Sequence, residues 1–93
     1  MATILISYDI HPSMGEACEK VVDAIMSLGT WWHHIESTWI VQCDQSPEQI
    51  RDILKQHVGS DDQLLIVDIS QDTAAWFGLN EAGGKWLEEH LQQ

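Results

Sequence analysis

Apolar residues recur along this chain with two periods, and the switches between them divide it into elements. From Thr3 to Ile10 the period is two. Ile4, Ile6 and Tyr8 fall on one face of a strand, and Thr3, Leu5, Ser7 and Asp9 on the other. His11-Pro12 is a turn signal. Met14, Ala17, Cys18, Val21, Ile25 and Leu28 then follow helical spacing, with Glu16, Glu19, Lys20 and Asp23 mainly outside. Ser13 and Glu16 have the spacing of a capping box, in which each side chain satisfies a free backbone N–H at a helix start. Gly29 stops this helix as a C-cap glycine would.

The stretch from Trp31 to Cys43 is rich in aromatic and β-branched residues and too long for one average strand. It breaks near Glu36-Ser37 into a tight antiparallel pair. Ser46-Pro47-Glu48-Gln49 is a second capping box, with proline at the first helical position. Ile50, Ile53, Leu54 and Val58 form the stripe of the helix it opens, and Gly59 ends it. Gln63 to Ser70 is a nearly continuous apolar strand.

The order β-α-β-β-α-β predicts an α+β, ferredoxin-like domain: an antiparallel sheet with its two helices on one face. The other face should carry Leu5 and Asp9, with either Leu64, Ile66 and Asp68 or Leu65, Val67 and Ile69 from the last strand. Apolar area of that kind calls for a cover. Residues 1–70 form the expected core of a single domain spanning 1–93. The tail from 71 to 93 contains Trp76-Phe77-Gly78-Leu79 and a short helix predicted from Lys85 to Leu91. It reads as an arm that covers its own chain or a second copy.

Composition narrows the function classes. Four basic residues (Lys20, Arg51, Lys55 and Lys85) oppose 15 acids, for a formal net charge of −11. Nucleic-acid binders cluster Lys and Arg to displace counterions from phosphates, so generic nucleic-acid binding is not expected. A basic protein or a divalent metal suits this surface better, and solubility alone is the plainer explanation. Five tryptophans fill a thick core or anchor an interface. No apolar run is long enough to span a bilayer, and the first residues lack the basic start of a signal peptide. The chain therefore reads as cytoplasmic with no membrane association. Cys18 and Cys43, far apart and outside any Cys-x-x-Cys pattern, read as reduced thiols, and Cys18, on the core stripe of its helix, as structural.

Asp9 is the candidate catalytic and metal-binding residue. Four roles are open to it at the strand end: metal ligand, activator of water, cap of the next turn, or solvated acid. One carboxylate does not hold Mg²⁺ alone, whereas two copies related by a twofold axis supply a pair. His11 lies close enough in sequence to assist as an acid or base, or is a plain turn residue. His33 and His34 point to opposite faces of a strand and cannot chelate one ion; packing against Trp31 or Trp32 accounts for them. Gly83-Gly84-Lys85 lacks the upstream glycine and following Ser or Thr of a phosphate loop.

Several of these segments also carry a family resemblance. They are Ser7-Tyr8-Asp9-Ile10 at the strand end, the glycine-ended helix at Gly29, the hairpin Glu36-Ser37-Thr38-Trp39-Ile40-Val41, and the last strand Leu64 to Ser70. The chain resembles the small CRISPR-associated ferredoxin-fold nucleases and their relatives, the virulence-associated protein D toxins. Closer still is its likeness to a group of short proteins outside CRISPR loci, labelled SinR-like. The resemblance implies a homodimer with open sheet faces together and the two Asp9 carboxylates near the twofold axis, around Mg²⁺ or Mn²⁺. Two departures bear on activity. The nucleases carry basic residues after the strand-end aspartate, where this chain has His11 to Glu16. An arginine expected in the hairpin gives way to Trp31-Trp32-His33-His34. The expectation is thus a dimeric, non-catalytic interaction or regulatory module, of antitoxin or defence type, presenting an acidic surface to a basic protein. A Mg²⁺-dependent endonuclease or phosphodiesterase using paired Asp9 is the alternative, and a nucleic-acid mimic is a third.

Overall fold

Strand β1 (Ala2–Asp9) lies inside a four-stranded antiparallel sheet in the computed structural model of the protein, which describes residues 1–10 and 15–91 (backbone only for 15–17). Around it run α1 (Gly15–Met26), β2 (Thr30–Ile35), β3 (Thr38–Cys43), α2 (Pro47–Leu54), β4 (Gln63–Asp68) and α3 (Glu81–His90). The sheet order is β2-β3-β1-β4, so the predicted ferredoxin-like βαββαβ arrangement holds, followed by a C-terminal helix.

Register follows from the alternation in β1. Tyr8 N–H donates to the Ser37 carbonyl beyond the start of β3, and Ile69 N–H donates to the Thr3 carbonyl beyond the end of β4. With Ile4 opposite Val41 and Leu5 opposite Val67, even residues of β1 bond to β3 and odd residues to β4. The same alternation sorts side chains. Ile4, Ile6, Trp39, Val41 and Cys43 meet Val21 and Ile25 of α1 and Ile50 and Leu54 of α2 in the main core, with Leu64 and Ile66 beside them. The second-face set of the last strand is therefore Leu65, Val67 and Ile69, which settles the two alternatives.

The second face is not wholly open. Trp32, Ile40 and Leu87 form a smaller core there, with Ile69, Trp76, Leu79, Trp86 and Leu91 packed on it. The arm thus covers the β2–β3 half of its own sheet.

Local signals explain most boundaries. Ser46 Oγ accepts from Gln49 N–H at 3.2 Å, and Gln49 Oε1 accepts from Ser46 N–H at 2.9 Å, which is the complete capping box. A 3₁₀ turn, Lys55–His57, extends α2 toward Gly59. The hairpin turns at Glu36-Ser37 as expected, with Ser37 at φ 60°. The capping pair Ser13 and Glu16 lies outside the residues whose side chains are described. Two expectations need correction. Gly29 is not a left-handed C-cap: α1 ends at Met26, and Gly78 is the only glycine at positive φ among the described residues. Gly29 instead passes against β3, where a Cβ would stand 2.1 Å from the Gln42 carbonyl oxygen. Helix α3 begins at Glu81, not Lys85, because Asn80 Oδ1 caps it by accepting from Gly83 N–H at 2.7 Å.

Candidate functional site

The site is built where β1 and β4 end together on the second face. Ser7 and Asp9 stand on β1, directly opposite Leu65 and Gln63 of β4. With Tyr8 and Leu64 they line a shallow depression of about 170 Å³. Asp9 is exposed there, at the end of the strand as predicted. Ser7, Asp9 and Gln63 share one face, so a hydroxyl, a carboxylate and an amide oxygen are the hard donors offered by one chain. That set carries a single negative charge, and a second carboxylate must come from elsewhere to hold Mg²⁺ well. Among the described residues, no three His, Cys, Asp or Glu side chains are grouped to hold a metal ion. His11 lies outside the described residues.

The tandem histidines diverge as strand geometry requires. His33 stacks on Trp39 with ring centroids 3.9 Å apart, and its Nδ1 lies 3.0 Å from the Thr38 carbonyl. His34 lies against Trp32 on the other face, 5.1 Å between centroids. Neither is brought to Asp9 by the strand it occupies.

Next to the depression runs an apolar strip. Leu65 is 59% exposed and Val67 39%, and both face away from the helices α1 and α2. The β1–β4 half of the second face is what the arm leaves uncovered. Between sheet and arm lies a cavity of about 370 Å³, bounded by Leu5, Trp32, Ile40, Ile69, Trp76 and Leu87. Sequence reasoning missed it, although the apolar residues of the tail signalled that something would be covered. Two contacts seat the arm: the Trp32 indole N–H donates to the Gly83 carbonyl at 3.0 Å, and the ring of His34 lies 3.0 Å from where a Gly83 Cβ would stand. Gly83-Gly84 is therefore a contact surface for His34 and Trp76, placed inside a helix and not in a phosphate loop.

A small polar clasp closes the far end of β4. Ser70 Oγ accepts from Thr3 N–H at 2.9 Å, and Ser70 N–H donates to Asp68 Oδ1 at 2.9 Å. Hydrogen bonds from the Ser70 hydroxyl and then from its N–H hold the Asp68 carboxyl below the usual aspartate range. Cys43 is buried in the main core, and burial pushes its thiol above the ordinary value. No helix among the described residues is long and apolar enough to cross a membrane.

Compared with protein-family models and with curated proteins, the chain matches none.

Proposed function

We propose that this chain is a homodimeric, non-catalytic interaction module that presents an acidic surface to a basic protein partner, as a regulator or antitoxin does. The observation that carries this reading is the exposed apolar strip of Leu65 and Val67, left uncovered on a chain whose surface charge is otherwise strongly negative. An exposed apolar patch rimmed by polar groups is characteristic of a protein contact. Fifteen acids against four bases repel phosphate and attract cationic protein surface.

A second reading is favoured by one observation. Asp9 lies exposed on the same face as the strip. Two copies laid face to face would bring two such carboxylates together, and Mg²⁺ or Mn²⁺ held there would activate water for phosphodiester hydrolysis. Ser7 and Gln63 would add neutral oxygen donors.

One experiment separates the two. Labelled single- and double-stranded oligonucleotides are titrated with the protein at physiological salt, with and without Mg²⁺ or Mn²⁺. The interaction-module reading expects neither binding nor cleavage. Metal-dependent cleavage that disappears in Asp9→Ala would replace it with the nuclease reading.

A further inference from the structure

Every strand in the sheet has two sides along which its backbone can hydrogen-bond, and β4 uses only one. It is the last strand of the sheet, and β1 is its single strand partner among the described residues. The register settles which groups are spent. Ile69 bonds to Thr3, so by alternation Val67 bonds to Leu5, Leu65 to Ser7 and Gln63 to Asp9. The N–H and C=O groups of Leu64, Ile66 and Asp68 therefore point outward from the sheet.

Such edges are normally blunted by lysine, proline, a bulge or a covering element. The β4 sequence Gln63-Leu64-Leu65-Ile66-Val67-Asp68 has no lysine or proline, and its pairing with β1 runs without a register shift. The opposite outer strand, β2, is irregular between Trp32 and Ile35. Among the described residues, β4 is the outer strand with a regular edge.

We infer that β4 is the dimer contact: two copies pair antiparallel, β4 to β4, across a twofold axis at Ile66, to give one continuous sheet. This rests on the homodimer reading and specifies its geometry. Of the self-complementary registers, the one centred on Ile66 engages all three outward-pointing residues. With Ile66 opposite Ile66 of the second copy, Leu64 falls opposite Asp68, and each outward-pointing residue meets an outward-pointing residue. Every such pair exchanges both of its N–H···O bonds. The same register sets Leu65 opposite Val67, in the non-hydrogen-bonded positions where Cα atoms approach to about 4.5 Å. The two exposed apolar side chains of one copy are thus covered by the same two of the other.

Charge favours a second copy over a basic peptide on this edge. Leu64 to Val67 carries no charge for a basic strand to pair with, and the two Asp68 side chains lie at opposite ends of the contact. Each copy nevertheless has a formal charge of −11, so added salt should tighten the dimer by screening repulsion. A contact with a basic partner would loosen instead. The pairing also has a consequence for Asp9. Across the four central strands its two copies stand roughly 25 Å apart, too far to share an ion.

The test combines solution mass with residue-resolved amide exchange at two protein concentrations. A dimer mass is expected by light scattering at high micromolar protein. The amides of Leu64, Ile66 and Asp68 should exchange slowly in the dimer and fast on dilution, while those of Leu65 and Val67 stay slow in both. The exposed-site double variant Leu65→Lys/Val67→Lys places a lysine opposite a lysine of the partner. It should dissociate more than about tenfold more readily, even though it lowers the net negative charge, and should keep its circular dichroism. A dimer whose Leu64, Ile66 and Asp68 amides exchange fast at every concentration, or one that the lysine variant leaves intact, would overturn edge pairing and leave the homodimer standing. A monomer at high micromolar protein would overturn both.

Discussion

Gly29→Ala is the substitution whose effect the structure sets most sharply. The backbone at Gly29 is not in the left-handed region, so alanine can adopt its conformation. If conformation were the only issue, the change would stabilise by about 0.4–1 kcal/mol through a stiffer unfolded chain. Space decides otherwise. The new Cβ would stand 2.1 Å from the Gln42 carbonyl oxygen and 3.2 Å from its carbon, and both are backbone atoms with no rotamer to yield. Gln42 belongs to β3 and is paired with Thr3 of β1 and Thr30 of β2. Its amide also donates to Thr3 Oγ1 at 2.8 Å. Relieving the clash means moving two ladders at once. Overpacking of this kind costs about 1–3 kcal/mol, and immobile backbone puts this site at the upper end. Less the stiffening gain, a net loss of about 2 kcal/mol is expected, which lowers Tm by roughly 10 °C in a domain of this size. Urea titration and a thermal melt by circular dichroism measure both. A Tm within about 3 °C of the parent, or above it, would refute the steric account.

The companion change Gly59→Ala should be neutral or slightly stabilising, because its Cβ meets only Asp62 Oδ2 at 3.6 Å; the same melt checks it. Trp32→Phe removes the indole N–H from the buried Gly83 carbonyl and should cost about 1–3 kcal/mol in urea titration, with far-ultraviolet circular dichroism unchanged. Asp68 has a depressed folded-state pKa, so its contribution is fully present above the unfolded value of about 3.9 and is lost as pH falls through the folded one. Tm of the parent should therefore fall more steeply than that of Asp68→Asn below about pH 4, and parallel profiles would exclude the Ser70 clasp as the cause. Iodoacetamide should label the half-buried Cys18 before the buried Cys43, with peptide mass spectrometry reading the order.

The elements that could be read from the sequence are those whose signal is local or periodic. Alternation in Thr3 to Asp9 sorted the faces of β1, and Ser46-Pro47-Glu48-Gln49 marked the start of α2 to the residue. Glu36-Ser37 gave the hairpin because the flanking apolar runs match on either side. Elsewhere a residue type had two physical explanations. Glycine marks both left-handed caps and close approaches, and at Gly29 only the position of Gln42 distinguishes them. Gly83-Gly84 lowered the apparent helix propensity of α3, while Asn80, an ordinary N-cap residue, was the signal passed over. The strand-end position of Asp9 was legible. The cavity between sheet and arm was not, because it forms between Leu5 and Leu87, residues with no local relation in the sequence.

The placement of two tryptophans on opposite sides of one sheet gives the molecule a separate optical reporter for each layer. Trp39 sits in the core beneath α1 and α2, and Trp32 sits under the C-terminal arm, both buried. Indole emission shifts to the red when water reaches the ring, so a variant retaining Trp32 or Trp39 as its sole tryptophan of the five would colour-code a single layer. Units packed on different faces can open separately, with free energies below that of global unfolding. If the arm lifts first, Trp32 reddens while Trp39 stays blue. The sheet then acts as an opaque partition, and the spectrum of one small domain records two transitions in sequence.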